Sequence, residues 1–455
     1  MWNVLVSLAM AIATARSTQP LEIQKHKCKN GLEVLVVENR AVPLITVEIA
    51  ARNGSMTEPP EYNGLSHLYE HMFFKANAAI PSQEAYLARV RELGMEWNGS
   101  TNTERVNYYF TTTSDKTKEA MVFMRDAIVT PVFDPRELER ERVVVTGEID
   151  RNEANPFYHL FHTVSQHVFW KYPSYKDPLG NRATVLAATV AKMKTIQKRY
   201  YVPGNSVLVV SGDVRAADVF AQADELYAGW EPAEDPFKKH PLVKHPPIRK
   251  TEVVVVEQPV QTVNGVFEWL GPSTVGPSVA LTYAADLLST AVAERSSKFS
   301  KALVDSGACV AVNLSWFTQM NTGPITLNFE ATPDKADACV QAIVAELPKL
   351  AGADYLTDEE MKNAAHTLEV GEVLDRERPS AFAHTITFWW TSAGLDYYFG
   401  YVDKLYQVQH QDIARFMKEF VLGKPYVLGV MLSPELKAKG HDAAHFEALV
   451  KAVSR

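Results

Sequence analysis

The sequence predicts an α+β fold made of two homologous domains, each an antiparallel β-sheet packed with α-helices. Two internal echoes predict the duplication. The stretch "GEIDRNEANPFYHLF" from Gly147 is repeated as "GEVLDRERPSAFAHTI" from Gly371, and "RYYVPGNSVLVVSGD" from Arg199 is repeated as "KEFVLGKPYVLGVML" from Lys418. Both offsets are about 220 residues, roughly half of the 455-residue chain. Self-similarity at this period indicates a duplicated domain.

Each half opens with strand-like segments. The first half begins with "GLEVLVVEN" and "PLITVEIAARNGS", and the second with "TEVVVVEQPVQTVNGVFEWL". Helical patterns follow in both, and each half returns to a strand near its end. A stretch rich in Pro and Lys without periodicity separates the halves. We therefore predict an N-terminal domain over 20–230, a linker over 231–250 and a C-terminal domain over 251–455.

Composition narrows the class of protein. The chain is 46% apolar and 22% charged, which is typical of a globular protein. Its formal net charge of −8 disfavours nucleic acid as a partner. Cys28, Cys309 and Cys339 are far apart and form no CxxC pair, so we expect buried free thiols and no disulfide.

The N-terminus has the pattern of an export signal. Residues 2–13 are apolar, and Ala13-Thr14-Ala15 matches an A-x-A cleavage site, so residues 1–15 are predicted to be a signal peptide of an exported, periplasmic protein. No Lys or Arg precedes the apolar run, which keeps a cytoplasmic location as the alternative. The run is too short to span a membrane, and no later stretch is long enough.

The stretch "NGLSHLYEHMFFKA", over 63–76, carries the first candidate site. Its apolar residues recur with the period of an amphipathic helix, and Asn63 is expected to cap the helix start. His67, Glu70 and His71 share another face, where two imidazoles four residues apart can bind one cation. A solvated helix face with histidines is the alternative, since catalytic zinc usually takes three protein ligands.

The third ligand is sought in the charged segment 134–156. Glu141 and Glu148 are seven residues apart, which places them on one face of a helix. A solvated helix surface fits such a charged run equally well. The equivalent of the histidine-bearing stretch in the second half, "ADLLSTAVAERSS", has no histidine, so we expect no metal in the C-terminal domain.

The sequence resembles the insulinase/pitrilysin-type zinc peptidases, which include the mitochondrial processing peptidase. Their signature is H-x-x-E-H, followed some 75 residues later by a ligand glutamate with another glutamate seven residues before it. Here Glu148 lies 77 positions after His71, and Glu141 lies seven before Glu148. The segments "MEWNGSTNTERVNYYF" (95–110), "DPLGN" (177–181) and "RYYVPGNSVLVVSGD" extend the resemblance over nearly the whole chain.

This resemblance implies a zinc-dependent endopeptidase that cleaves peptides or unfolded polypeptides. It implies one Zn²⁺ per chain, bound by His67, His71 and Glu148, with a fourth position left for water. Glu70 is then the general base that takes the proton of the attacking water. Glu141 accepts a hydrogen bond from a ligand histidine and fixes its tautomer.

The resemblance also implies how substrate is held. An extended peptide adds to the edge of a sheet through main-chain hydrogen bonds. Asn98 and Gly99 are the residues expected to present that edge. An ordinary turn is the alternative, because Asn-Gly-Ser is a favourable turn tripeptide.

One part of the family's site is missing from this chain. Active single-chain relatives complete the site with an Arg and a Tyr from the second domain, and the matching positions here are Leu303 and Val310. Neither side chain can stabilise an oxyanion. We therefore expect a dimer in which a homologous subunit supplies Arg and Tyr. A non-catalytic assembly subunit derived from the same family is the alternative.

Overall fold

The computed structural model describes residues 22–453. The predicted signal peptide, 1–15, lies outside the described residues. Within the described part of the chain, no helix combines the length and the apolar character needed to cross a membrane.

The first domain contains a six-stranded sheet. Its strands are β1 Ile23–Lys27, β2 Glu33–Glu38, β3 Leu44–Ala51, β4 Glu96–Thr101, β5 Val106–Thr113 and β6 Ser206–Gly212. The helices up to the second sheet are α1 Leu65–Phe73, α2 Gln83–Glu92, α3 Thr117–Val129, α4 Pro135–Glu153, α5 Pro156–Val168, α6 Arg182–Leu186, α7 Val190–Tyr200, α8 Ala216–Leu226 and α9 Pro236–Lys239.

The second domain contains a five-stranded sheet. Its strands are β7 Glu252–Glu257, β8 Val263–Leu270, β9 Ala311–Trp316, β10 Pro324–Ala331 and β11 Val427–Leu432. The helices are α10 Val279–Ala293, α11 Lys298–Ser300, α12 Ala336–Glu346, α13 Asp358–Asp375, α14 Pro379–Ser392, α15 Leu395–Phe399, α16 Tyr401–Gln407, α17 His410–Phe416, α18 Pro434–Ala438 and α19 Ala443–Val453.

The two sheets have the same topology. The first has the order β1-β2-β6-β3-β5-β4 and the second β7-β11-β8-β10-β9, so the sheets match strand for strand apart from β1. The predicted α+β fold with two related domains is confirmed. The sheets are mixed and not wholly antiparallel, because β2 pairs with β6 and β7 with β11 in parallel. A long crossover connects each parallel pair, as parallel strands require.

Each domain covers the other's sheet with one helix. Helix α5 packs on β11, β8 and β7, whereas α14 packs on β3 and β6. These helices carry the repeated "PFYHLF" and "PSAFAHTI" segments, so the two helices that cover the opposite domain's sheet also correspond in sequence. Leu160 and Val164 of α5 form an apolar cluster with Val266. Gly429 permits this approach, since a Cβ there would lie 2.2 Å from Val164 Cγ2.

Buried polar contacts hold the domains together beside the β4–β5 turn. Glu104 accepts hydrogen bonds from the backbone N–H groups of Met320 (2.7 Å) and Asn321 (2.8 Å). Lys176 donates to the carbonyls of Asn321 and Thr322 at 2.7 and 2.8 Å. These contacts fix the β9–β10 loop of the second domain against two parts of the first domain, the β4–β5 turn and the segment that ends at Lys176.

The cysteine prediction is wrong for two of the three residues. Cys309 and Cys339 form a disulfide that joins a position two residues before β9 to α12, and Cys28 is the free, buried thiol. The two half-cystines are 30 residues apart in sequence, and the β9–β10 hairpin turns back between them. Only the tertiary fold brings them together, so their spacing carried no local signal.

Candidate metal and catalytic site

A buried carboxylate, and not the predicted cap Asn63, satisfies the backbone N–H groups at the start of helix α1. Glu58 accepts hydrogen bonds from the backbone N–H groups of Gly64 (2.8 Å) and Ser66 (2.5 Å). A carboxylate at this position satisfies free N–H groups at the helix start. Asn63 instead donates to the carbonyls of Ser174 and Asp177. The expected Asn63 cap is therefore wrong, although the predicted helix is present.

Helix α4 is continuous through its β-branched stretch. Asp134 caps it by accepting hydrogen bonds from the N–H groups of Arg136 and Glu137. Of the β-branched residues over 143–146, Val145 is fully buried and supplies the tertiary support that such a helix needs. Glu141 and Glu148 therefore share a face, and α4 packs that face against α1.

Three side chains converge between α1 and α4. The Nε2 atoms of His67 and His71 lie 3.4 and 3.7 Å from the same oxygen, Oε2 of Glu148. The candidate ligand atoms of all three residues lie within 4.8 Å of one another. The side chain of Glu148 is 28% exposed, so solvent reaches the point of convergence. The structure thus brings together the three residues predicted as metal ligands.

Glu141 orients His71. Its Oε2 accepts a hydrogen bond from His71 Nδ1 at 3.0 Å, and its Oε1 pairs with Lys75 Nζ at 2.7 Å. Burial alone would raise the pKa of Glu141, but the bonds to His71 and Lys75 outweigh it and lower the pKa. A proton held on Nδ1 leaves the Nε2 lone pair of His71 facing Glu148, which is the tautomer a metal ligand needs.

The donor set fits a zinc ion. Burial lowers the pKa of His67 to about 4, and the neighbouring His71 adds to the effect, so His67 is neutral at pH 7. The Nδ1 atom of His67 is buried without a hydrogen-bond partner among the described residues, whereas its Nε2 faces Glu148. Two imidazole nitrogens and one carboxylate oxygen are a ligand set of catalytic zinc.

Glu70 lies on α1 beside these residues and is held by β4. Thr101 Oγ1 donates a hydrogen bond of 2.6 Å to Glu70 Oε2. Glu70 is only 9% exposed, and burial raises its pKa although the bond from Thr101 opposes the shift. A buried carboxylate with a raised pKa has the properties of a general base that works near neutral pH.

Asn98 and Gly99 lie in β4 and not in a turn. This strand is at the end of the sheet order, with β5 on one side and no strand on the other among residues 22–453. Gly99 passes directly over the candidate base, since a Cβ there would lie 3.0 Å from Glu70 Cγ and Oε1. Any larger residue would displace the carboxylate. The edge position predicted for both residues is thus present.

Apolar side chains occupy the two positions at which the family resemblance places an Arg and a Tyr. Leu303 is fully buried in the hydrophobic core of the second domain. Val310 is 49% exposed immediately before β9, and its N–H donates to the carbonyl of Glu330 at 2.7 Å. Neither offers a donor to a substrate oxygen.

Sequence reasoning missed Lys75 and Thr101. Lys75 lies four residues after His71, and that helical spacing could have placed it on the side of α1 that meets Glu141. No comparable signal exists for Thr101, because its contact with Glu70 joins two elements that are distant in sequence.

Two family models match the chain. A family model described as Insulinase (Peptidase family M16) matches residues 33–179, which include all the candidate site residues, and one described as Peptidase M16 inactive domain matches 187–368. The zinc protease YmxG of Bacillus subtilis is 27% identical over 207 residues, covering 46% of this chain and 50% of the relative. This alignment spans about half the length of the relative.

Solved structures show the same fold. A protease from Helicobacter pylori superimposes with a TM-score of 0.82 at 20% identity, covering 91% of this chain and all of that chain. The periplasmic protease PqqL from Escherichia coli gives a TM-score of 0.77 at 16% identity. The match covers 96% of this chain but 51% of PqqL.

Proposed function

Because the chain belongs to the insulinase family of peptidases, M16, we propose that it is a zinc-dependent endopeptidase acting on peptides or unfolded polypeptides. One observation carries the proposal. His67 and His71 aim Nε2 at the same oxygen of Glu148, and the buried carboxylate of Glu70 lies between the two histidines on the same helix. A subunit with only a scaffolding role has no use for a base at that position.

Each residue has a role in hydrolysis. His67, His71 and Glu148 would hold one catalytic zinc ion, and Glu141 fixes the tautomer of His71. A bound zinc ion supplies Lewis acidity and lowers the pKa of water to about 7. Glu70 accepts the proton of the attacking water at its carboxylate and delivers it to the leaving amine. Thr101 holds that carboxylate in position.

The substrate binds as an added strand. The free edge of β4 offers main-chain groups of Asn98 and Gly99 to an extended peptide, and β4 also carries the residue that holds the base. Main-chain recognition of this kind suits unfolded polypeptides, since it places few demands on side chains.

A homologous subunit completes the site. Leu303 and Val310 supply no donor for the oxyanion, and loss of one such donor typically costs ~10²–10³ in rate. The chain matches about half of PqqL, which supports pairing with a second chain of the same fold. We expect the partner's second domain to provide an Arg and a Tyr.

We further propose that the protein is exported. A disulfide between Cys309 and Cys339 persists in an oxidising compartment such as the periplasm. Reduced Cys309 and Cys339 in protein isolated from its host under thiol-trapping conditions would contradict export.

Casein hydrolysis with and without a metal chelator tests the activity. The chain is assayed alone, with a homologue that carries the Arg and Tyr, and with that homologue after both residues are replaced. We expect slow hydrolysis by the chain alone and a rate ~10²-fold or more higher with the intact homologue. The homologue without its Arg and Tyr should not increase the rate. Full activity of the isolated chain, unchanged by the homologue, contradicts the two-subunit site.

A further inference from the structure

A second group of metal-ligand side chains lies in the C-terminal domain. Asp337 is at the start of α12, His441 lies two residues before α19, and His445 is in the first turn of α19. Their candidate ligand atoms all lie within 4.8 Å of one another. The counterpart of α1 in this half lacks histidine, which predicted no metal in the C-terminal domain, but this group lies elsewhere in the domain.

The arrangement repeats the geometry of the first site. His445 Nε2 lies 2.8 Å and His441 Nε2 3.8 Å from the same oxygen, Oδ1 of Asp337. As at His67 and His71, two imidazoles four residues apart direct Nε2 at one carboxylate oxygen from another helix.

Hydrogen bonding alone leaves this group incomplete. Asp337 bonds to His445, but the 3.8 Å to His441 is too long for a hydrogen bond. The side chain of His441 has no hydrogen-bond partner among residues 22–453, and its Nδ1 is buried. Within residues 22–453 the ion-pair partners of Asp337 are these two histidines, with no Lys or Arg. A cation among the three would engage every one of them.

We propose that Asp337, His441 and His445 bind a second divalent transition-metal ion, with Zn²⁺ as the expected occupant. Imidazole and carboxylate ligands suit this class of metal. The side chains are 40%, 23% and 31% exposed, so an ion can enter and water can complete its coordination.

The second site is structural and not catalytic. Ala444 occupies the position before the second histidine, where Glu70 stands in the first site, so the carboxylate proposed as the base there has no counterpart here. The ion would join α19 to α12, and α12 is already linked through the disulfide of Cys339 to Cys309, two residues before β9. Metal binding therefore anchors the C-terminal helix to the core of its domain.

Zinc stoichiometry tests the proposal. The full chain is stripped of metal with a chelator and titrated with Zn²⁺ alone. Isothermal titration calorimetry gives the number of ions bound, and thermal unfolding gives the melting temperature. We expect two ions in the wild type, and one in both His441→Gln/His445→Gln and His67→Gln/His71→Gln. In the latter background, zinc should raise the melting temperature. Adding Asp337→Asn, which keeps the size of the side chain, should weaken the remaining site at least 10²-fold and abolish that increase.

Two controls exclude other sources of zinc binding. His410→Gln removes a simple His–Asp pair with a 2.9 Å contact, and His26→Gln disrupts a third potential ligand group found among residues 22–453, His26, Cys28 and Asp224. Neither should change the stoichiometry. The proposal is overturned if His67→Gln/His71→Gln binds no zinc, or if His441→Gln/His445→Gln binds as much as the wild type while circular dichroism shows both folded. Loss of the second ion in His26→Gln overturns it too.

Discussion

The hydrogen bond from Thr101 to Glu70 allows a specific test of the base. Thr101→Val keeps the size and β-branched shape of the side chain but removes the hydroxyl that donates at 2.6 Å. The strand β4 and its pairing with β5 should be preserved, because they depend on backbone groups. The substitution leaves a carboxylate that is 9% exposed without this donor.

The size of the effect follows from the type of bond. A hydrogen bond to a charged group contributes about 1.5–3 kcal/mol, and each 1.4 kcal/mol is a factor of ten in rate. If Thr101 positions Glu70 for proton transfer, kcat should fall about 10- to 100-fold. KM should change little, since the backbone edge that binds substrate is intact.

Steady-state hydrolysis of a fluorogenic peptide by the zinc-loaded protein, together with a homologue that carries the Arg and Tyr, measures both constants. Thr101→Ser restores the hydroxyl and should recover most of the rate. Ser100→Ala is the matched control, because the Ser100 hydroxyl donates to Asn107 and not to Glu70. Wild-type kcat in Thr101→Val, or equal loss in Thr101→Ser, would refute the positioning role.

Three further predictions concern metal binding and stability. Glu141→Gln removes the charge that holds His71 and should weaken zinc binding ~10–100-fold by titration; unchanged affinity would count against the role of Glu141. Cys309→Ser/Cys339→Ser opens a link between residues 30 apart and should lower the unfolding free energy by about 3–4 kcal/mol in denaturant titrations, whereas a loss below ~1 kcal/mol would disagree. Burial raises the pKa of Asp286 to about 7, so the folded state holds a proton that the unfolded chain releases near pH 4, and stability falls as pH rises between these values. Asp286→Asn should remove this loss, which is on the order of 4 kcal/mol by pH 8, and an unchanged pH profile would contradict it.

The sequence predicted the parts of the site that depend on local spacing. His67, Glu70 and His71 follow from helical periodicity, and Glu148 shares a helix face with Glu141. That α4 packs against α1, which makes Glu148 a candidate ligand, was implied only by the family resemblance. Such docking depends on the tertiary fold and leaves no pattern in either segment.

Contacts between distant segments account for what was missed. The disulfide between Cys309 and Cys339 forms where the β9–β10 hairpin brings them together, and the parallel strand pairs arise from long crossovers. The duplication was readable from the repeated segments. The repeated segments did not predict that α5 packs on the second sheet and α14 on the first, because a repeat does not show which sheet its helix covers.

The most direct test of the central claim is Glu70→Gln in the zinc-loaded protein, assayed with a homologue that carries the Arg and Tyr. Metal content and casein hydrolysis are measured on the same samples. The amide cannot accept the proton of water, and Glu70 is not among the three convergent ligands, so hydrolysis should fall at least ~10²-fold while the zinc content matches the wild type. Hydrolysis at the wild-type rate by Glu70→Gln with its zinc bound would contradict the assignment of Glu70 as the base, and with it the proposed peptidase mechanism.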